Sequence, residues 1–278
     1  LENNRPIGVI DSGLGGLSVV MEMIRQLPNE QMIYLGDSER CPYGPRDAEE
    51  VRKFTQEMVD FLWIEHDIKM LVIACNTATA FMLEDLRKIL PIPVLGVIHP
   101  GARAAIKKTT TKQIGVIGTS GTIASQAYEK ALHGIDHTVL IKSLACPEFV
   151  VLAEKGCFSG EDGQEIVSNV LGTTFQDAGV DTLILGCTHY PLLAPMIQHA
   201  VGEHVHLISS GEETAREVST LLHYHQLERN SRQQPHHFYY TTGSATAFQQ
   251  LAERWMGAPI SVAQVSLQHY VKEQTGLL

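Results

Sequence analysis

Two stretches of this chain repeat one another, and that repetition constrains the fold more than any single motif does. Pro6-Ile-Gly-Val-Ile10, followed by Asp11-Ser12-Gly13, returns as Gln113-Ile-Gly-Val-Ile117, followed by Gly118-Thr119-Ser120-Gly121. Ile7 and Ile114 are 107 positions apart. Cys41-Pro42 returns as Cys146-Pro147, and Cys75 as Cys187, at offsets of 105 and 112. Val94 to Gly101 is echoed more loosely by Val205 to Gly211. Four landmarks in one order at nearly one spacing predict two similar halves.

Each repeated unit starts with a short run of branched apolar residues. Met70-Leu-Val-Ile-Ala leads to Cys75, and Thr182-Leu-Ile-Leu-Gly leads to Cys187. Such runs read as strands of a parallel sheet, buried on both faces. Helical patterns lie between them. Ala48 to Trp63 places Val51, Phe54, Met58, Phe61 and Leu62 on one face, and Glu161 to Phe175 turns Ile166, Val170 and Leu171 inward. Alternating strands and helices predict an α/β protein of two similar parallel-sheet domains with the active site in the cleft between them. Breaks at His99-Pro100-Gly101 and Ser209-Ser210-Gly211 suggest the hinges. The expected division is residues 1–98 plus 211–278 in one domain, with helices over Glu212–Leu222 and Thr246–Met256 and a short strand at His237–Thr241, and residues 99–210 in the other.

A formal charge of −10 argues against nucleic acid or an anionic membrane as partner. No apolar run is long enough to cross a bilayer. Five cysteines without Cys-x-x-Cys spacing argue against a disulfide framework and for a reducing cytoplasm. The pairs His204/His206, His223/His225 and His236/His237 lack a third ligand at metal-site spacing, so neither a metal nor a cofactor is expected.

The loop Asp11-Ser12-Gly13-Leu14-Gly15-Gly16 fits neither nucleotide fingerprint and carries no lysine. It suits a small carboxylate held by backbone N–H groups and Ser12, with Asp11 serving as a cap or facing a substrate ammonium. Tyr43 and Gly44 lie in a loop fixed by two prolines; Tyr43 reads as rim packing or as a substrate contact. Cys75 and Cys187, at strand ends followed by Asn76-Thr77 and Thr188-His189, would have their thiol pKa lowered by a following helix N-terminus. Cys41, Cys146 and Cys157 lack that setting and read as structural. A hydrolase needs one activated sulfur, whereas two equivalent sulfurs suit proton transfer on both faces of one carbon. A Cys187–His189 hydrolase and a non-catalytic anion binder are the alternative readings.

Asp11-Ser-Gly-Leu-Gly-Gly, Cys41-Pro-Tyr-Gly-Pro, Cys75-Asn-Thr-Ala and Gly186-Cys-Thr-His-Tyr-Pro191, in this order, resemble the bacterial glutamate racemases over about Pro6 to Gly211. The resemblance implies cofactor-independent interconversion of L- and D-glutamate for peptidoglycan, in a cytoplasmic homodimer. It implies that Cys75 deprotonates D-glutamate and Cys187 L-glutamate, assisted by Asp11 and by His189 with Glu154. It further implies substrate contacts from Asp11, Ser12, Tyr43, Gly44, Asn76, Thr77, Thr188 and His189, with Thr119 and Thr122 as additional carboxylate-holding hydroxyls.

Overall fold

A computed structural model describes residues 3–156, 160–175, 179–231, 233–268 and 270. In chain order the elements are Ile7–Asp11 (β1), Leu17–Gln26 (α1), Met32–Gly36 (β2), Ala48–His66 (α2), Met70–Ile73 (β3), Asn76–Ile89 (α3), Val94–Gly96 (β4) and Ile98–Lys108 (α4). There follow Gln113–Gly118 (β5), Ser120–Ala124 (α5), Ala127–Ile135 (α6), Leu140–Ala145 (β6), Pro147–Glu154 (α7), Glu161–Phe175 (α8) and Thr182–Gly186 (β7). A 3-10 turn, Tyr190–Leu193, leads into Ala194–Val201 (α9). The chain continues through His206–Ile208 (β8), Ser210–Tyr224 (α10), Phe238–Thr241 (β9), Ala245–Met256 (α11) and Val262–Gln264 (β10).

The strands form two parallel sheets, ordered β10-β9-β2-β1-β3-β4 and β6-β5-β7-β8. With β9 and β10 set aside, the two orders superpose: β5 stands for β1, β6 for β2, β7 for β3 and β8 for β4. The internal duplication is therefore a duplication of topology. Both faces of each sheet are covered at its centre, which is why β1, β3, β5 and β7 are apolar without alternation, whereas the edge strand β6 is largely exposed or half-buried. On the first sheet, Ile7, Val9, Met70 and Val72 pack towards α1, α10 and α11, while Ile10, Leu71 and Ile73 pack towards α2 and α3. On the second, Leu183 and Leu185 face α7, α8 and α9, and Ile114, Val116 and Ile184 face α4 and α6.

Two expectations need correction. His99-Pro100-Gly101 does not break the chain: α4 runs through it and carries the chain from the first sheet to the second. Pro100 lies in the first helical turn, where a missing N–H costs nothing because that group has no partner in the helix. Ser209-Ser210-Gly211 likewise opens α10, which carries the chain back. These crossover helices lie side by side, tied by the Arg103–Glu217 and Lys107–Glu213 ion pairs. The second correction is in α8, where Ile166 is exposed and Val167 takes the buried position. Leu171 is buried and Val170 packs against the core as expected, so only the first of the three positions is misplaced.

Candidate active site

The site grows from the carboxyl ends of β1, β3, β5 and β7, the four strands that the duplication relates in pairs. Beyond β1, the Asp11 carboxylate turns back on its own loop and accepts the Gly13 N–H at 3.1 Å. The Thr188 hydroxyl, from the other half, donates to it at 3.2 Å. Asp11 is fully buried, and that burial raises its carboxyl pKa despite the opposing charge of His189 and these hydrogen bonds.

Cys75 ends β3 and caps α3, its sulfur accepting the Ala78 N–H at 3.4 Å. The helix start predicted there is present, but its expected effect on the thiol is not. Burial, reinforced by the Asp11 charge, pushes Cys75 up to about 12 against the pull of Ala78 N–H and Ser12. One helix terminus contributes a partial charge, and desolvation of a sulfur anion outweighs it. Cys187 has a different setting. No α-helix starts on its sulfur; a turn leads through His189 into the 3-10 segment, and Cys187 Sγ lies 3.7 Å from His189 Nδ1. The other ring nitrogen, Nε2, is 2.5 Å from Glu154 Oε1 at the end of α7. Burial alone would lower the His189 pKa, but its bonds to Cys187 and Glu154 raise it to about 10. His189 is thus an imidazolium at neutral pH, strung between a sulfur and a carboxylate.

Hydroxyls from both halves meet beside the cysteines. Thr77 Oγ1 lies 2.9 Å from Thr119 Oγ1 and 3.1 Å from Thr122 Oγ1, and the latter two are 3.0 Å apart. Asn76 accepts the Tyr128 hydroxyl at 2.7 Å through Oδ1, which leaves its buried Nδ2 with no hydrogen-bond partner among the described residues. A buried amide donor held by its oxygen and unused at its nitrogen suits a ligand acceptor. Gly44 and Gly15 allow the halves to close. A Cβ on Gly44 would lie 2.4 Å from Thr119 Cβ, and one on Gly15 would lie 2.4 Å from Thr188 Oγ1. Gly44 C=O also accepts the Gly121 N–H across the cleft at 2.9 Å.

Ser12, Pro42, Tyr43, Gly44, Cys75, Asn76, Thr77, Thr119, Val150, Cys187, Thr188 and His189 enclose one cavity of about 10 Å³, room for a single water. Ten of the residues singled out from the sequence line it. Asp11, Thr122 and Glu154 stand one contact behind, on Thr188, Thr77 and His189 respectively. Tyr43 is buried rather than at a rim, and its hydroxyl donates to Asp37. Both flanking arginines are engaged elsewhere: Arg40 pairs with Asp37 and Glu57, and Arg46 with the Arg40 carbonyl and Glu50.

Sequence reasoning missed Pro42, Val150 and Tyr128. Val150 reads as ordinary helix core, and only Pro42 carried a signal, beside Tyr43. Cys146 does follow a strand and precede a helix, contrary to expectation, but its sulfur points to the Leu144 carbonyl and does not line the cavity. Cys157 lies outside the described residues.

If the imidazolium is the working form, Glu154→Gln removes one of the charges that sustain it. The alkaline limb of activity should move down by roughly one unit or more, since an adjacent opposite charge is worth that much. A pH–rate profile of the variant checks this; an unmoved limb would show that Glu154 does not set the His189 charge. The stability sign follows from a folded value raised above the unfolded one, from 6.5 to about 10. Stabilisation by His189 is full below the lower value and is lost as pH rises through the upper.

The family model for Asp/Glu/hydantoin racemases matches residues 7–218. A glutamate racemase of Bacillus cereus is 56% identical over 257 residues, spanning 92% of this chain and 95% of that protein. The crystal structure of glutamate racemase isoform RacE1 from Bacillus anthracis superposes with a TM-score of 0.92 at 50% identity, covering 95% of this chain and 98% of that one. The Francisella tularensis glutamate racemase, crystallised with D-glutamate, superposes with a TM-score of 0.88 at 33% identity, over 96% and 99% of the two chains.

Proposed function

This chain belongs to the Asp/Glu/hydantoin racemase family, and we propose that it interconverts L- and D-glutamate by moving protons between Cα and two opposed sulfurs, Cys75 and Cys187. It is an isomerase of the racemase type. The observation that best supports the two-sulfur reading is that cysteines at equivalent strand ends of duplicated halves line one closed cavity.

In this reading the two sulfurs hold one proton between them. Cys75, with its raised pKa, carries the proton in the resting site, and Cys187 beside the His189 imidazolium takes the Cα proton of L-glutamate. Cys75 then delivers its proton to the opposite face, and the roles exchange for D-glutamate. The Asn76 amide, the Thr77, Thr119 and Thr122 hydroxyls, Ser12 and Thr188 hold the carboxylates, with loop N–H groups from the β1 loop and Gly44 of the Tyr43–Gly44 turn. Asp11 faces the ammonium side. No cofactor takes part. A carbanion without an electron sink needs a dry, preorganised surrounding, and a cavity of one water's size supports that requirement. Glutamate is far larger than this cavity, so the halves separate to admit it and close over it.

The boundaries 1–98 plus 211–278 and 99–210 fit this movement, with α4 and α10 as the paired crossings. D-Glutamate made in the cytoplasm would feed peptidoglycan synthesis, and a homodimer is the assembly expected from the family. The experiment is incubation with L-glutamate in D2O without cofactor, following optical rotation and Cα deuterium, with aspartate alongside. Loss of rotation with deuterium uptake from glutamate alone is expected. Inertness toward glutamate overturns the substrate assignment.

A further inference from the structure

Three potential metal ligands from three separate segments of the chain, two loops and the end of α7, meet at the outer edge of the cavity. One ligand atom from each of Cys41, Glu154 and His189 lies within 4.8 Å of the others, with Cys41 Sγ 3.8 Å and His189 Nε2 2.5 Å from Glu154 Oε1. The sequence could not reveal this, because Cys41 and Glu154 are 113 residues apart and Glu154 and His189 are 35 apart. Cys41 itself does not line the substrate cavity and has no part in the proton transfer described above.

We propose that Cys41, Glu154 and His189 form an inhibitory site for a zinc-type divalent cation, which shuts off the proposed racemisation by occupying His189. A thiolate, an imidazole and a carboxylate are the donor set that zinc takes in tetrahedral sites, a water completing the fourth position. Two ligands bound to one such ion stand about 3.3 to 3.7 Å apart. The Cys41–Glu154 separation already approaches that range, and the His189–Glu154 hydrogen bond must open by roughly 1 Å when the ion replaces its proton. Glu154 can make that movement. It sits at the last position of α7 with its side chain 39% exposed, which also gives the ion a path from solvent.

The electrostatic surroundings favour a cation at this spot. The Glu154 carboxylate oxygen lies against both the Cys41 sulfur and the His189 ring nitrogen, so an ion at this spot meets an anionic oxygen between its two other ligands. Binding releases two protons to solvent, one from the Cys41 thiol and one from the His189 imidazolium, so the net charge of the site is unchanged. His189 retains its proton on Nδ1, towards Cys187, but is fixed to the ion through Nε2 and can no longer respond to the charge on that sulfur.

The inhibitory consequence rests on the racemase reading, whereas the site itself does not. The test is therefore spectroscopic first. The metal-free full chain is titrated with Co²⁺, following thiolate-to-cobalt charge transfer and the visible bands of tetrahedral cobalt, then with Zn²⁺ as competitor. One equivalent should bind, and Cys41→Ser should lose the charge-transfer band and bind Zn²⁺ at least tenfold more weakly. If Cys41→Ser fails to fold, judged by circular dichroism, Glu154→Gln serves the same purpose and should weaken binding while keeping the thiolate band.

In the activity arm, Zn²⁺ should inhibit the wild type reversibly, with recovery on adding a chelator. Cys41→Ser should racemise at the wild-type rate and keep that rate in the same Zn²⁺. An unchanged cobalt spectrum in Cys41→Ser would assign the metal to another of the chain's five cysteines and overturn the proposal, as would no binding to the wild type. Binding as expected in a chain inert toward glutamate would leave the metal site standing and remove only the racemase reading.

Discussion

Cys75→Ala and Cys187→Ala should each lower racemisation by about a thousandfold or more, because on the two-sulfur reading proposed above each removes the acid/base group that serves one face of Cα. The isotope pattern separates this from a general loss of structure. With two bases, the proton abstracted on one face is not the proton delivered to the other. Early in a reaction of the wild type in D2O, the product enantiomer carries deuterium and the recovered substrate carries hydrogen. A single-base enzyme would label both. Either cysteine variant could still exchange the Cα proton of one enantiomer through its remaining sulfur without inverting it, and exchange without inversion would be the positive signature of the missing partner. Full turnover by either variant would sink the two-sulfur assignment.

Thermodynamics adds a constraint that any such measurement must satisfy. The two enantiomers have equal free energy in water, so kcat/KM must be the same in both directions for every variant. The different surroundings of the sulfurs, Cys75 against Asp11 and the α3 terminus and Cys187 against His189, can therefore show only in kcat and KM separately. A variant reported to slow kcat/KM in one direction alone would indicate an error in the assay.

Gly44→Ala carries the second large effect. The added Cβ would fall 2.4 Å from Thr119 Cβ and 2.8 Å from Thr119 Cγ2, and a threonine is too short to move aside. The Gly44–Gly121 bond and the Thr77–Thr119–Thr122 cluster lie at the same seam. The two halves must then stand apart, and kcat/KM should fall about a hundredfold, the usual result of misplacing a reacting group by an ångström. Thermal stability should change little, because each half keeps its own core and only the seam opens. Thermal unfolding alongside kinetics checks the separation of the two effects. A large drop in Tm with kcat/KM unchanged would mean that Gly44 serves the fold and not closure.

The legible part of the site was the part encoded by repetition. Cys75 and Cys187 could be paired from their frames alone, since both follow a run that a parallel sheet buries on both faces. Residues adjacent to them, Asn76-Thr77 and Thr188-His189, came with them because a strand-end loop is contiguous in sequence. What failed was everything that depended on competition between neighbours. The helix terminus at Cys75 was correctly expected, yet burial beside Asp11 decided the pKa of its thiol. His99-Pro100-Gly101 contains two residues that usually interrupt helices, but the first turn of α4 has no N–H bond for Pro100 to break. Tyr43 was left open between rim packing and a substrate contact; it lines the cavity, and Asp37, six residues earlier, draws its hydroxyl inward.

The sequence alone determined that two α/β halves of one topology would each present a cysteine at the end of a corresponding strand. Strand identity follows from local apolar runs, and position at a strand end from where those runs stop, so neither needs knowledge of distant contacts. Only the tertiary structure decided that both cysteines line one cavity, that Glu154, which the family resemblance had placed near Cys187, bonds His189 Nε2 directly, and that Cys41 stands beside them. Those relations join loops from opposite halves. Their geometry is set by how α4 and α10 bring the two sheets together and by glycines that let Thr119 and Thr188 come within contact, which no local pattern in the chain encodes.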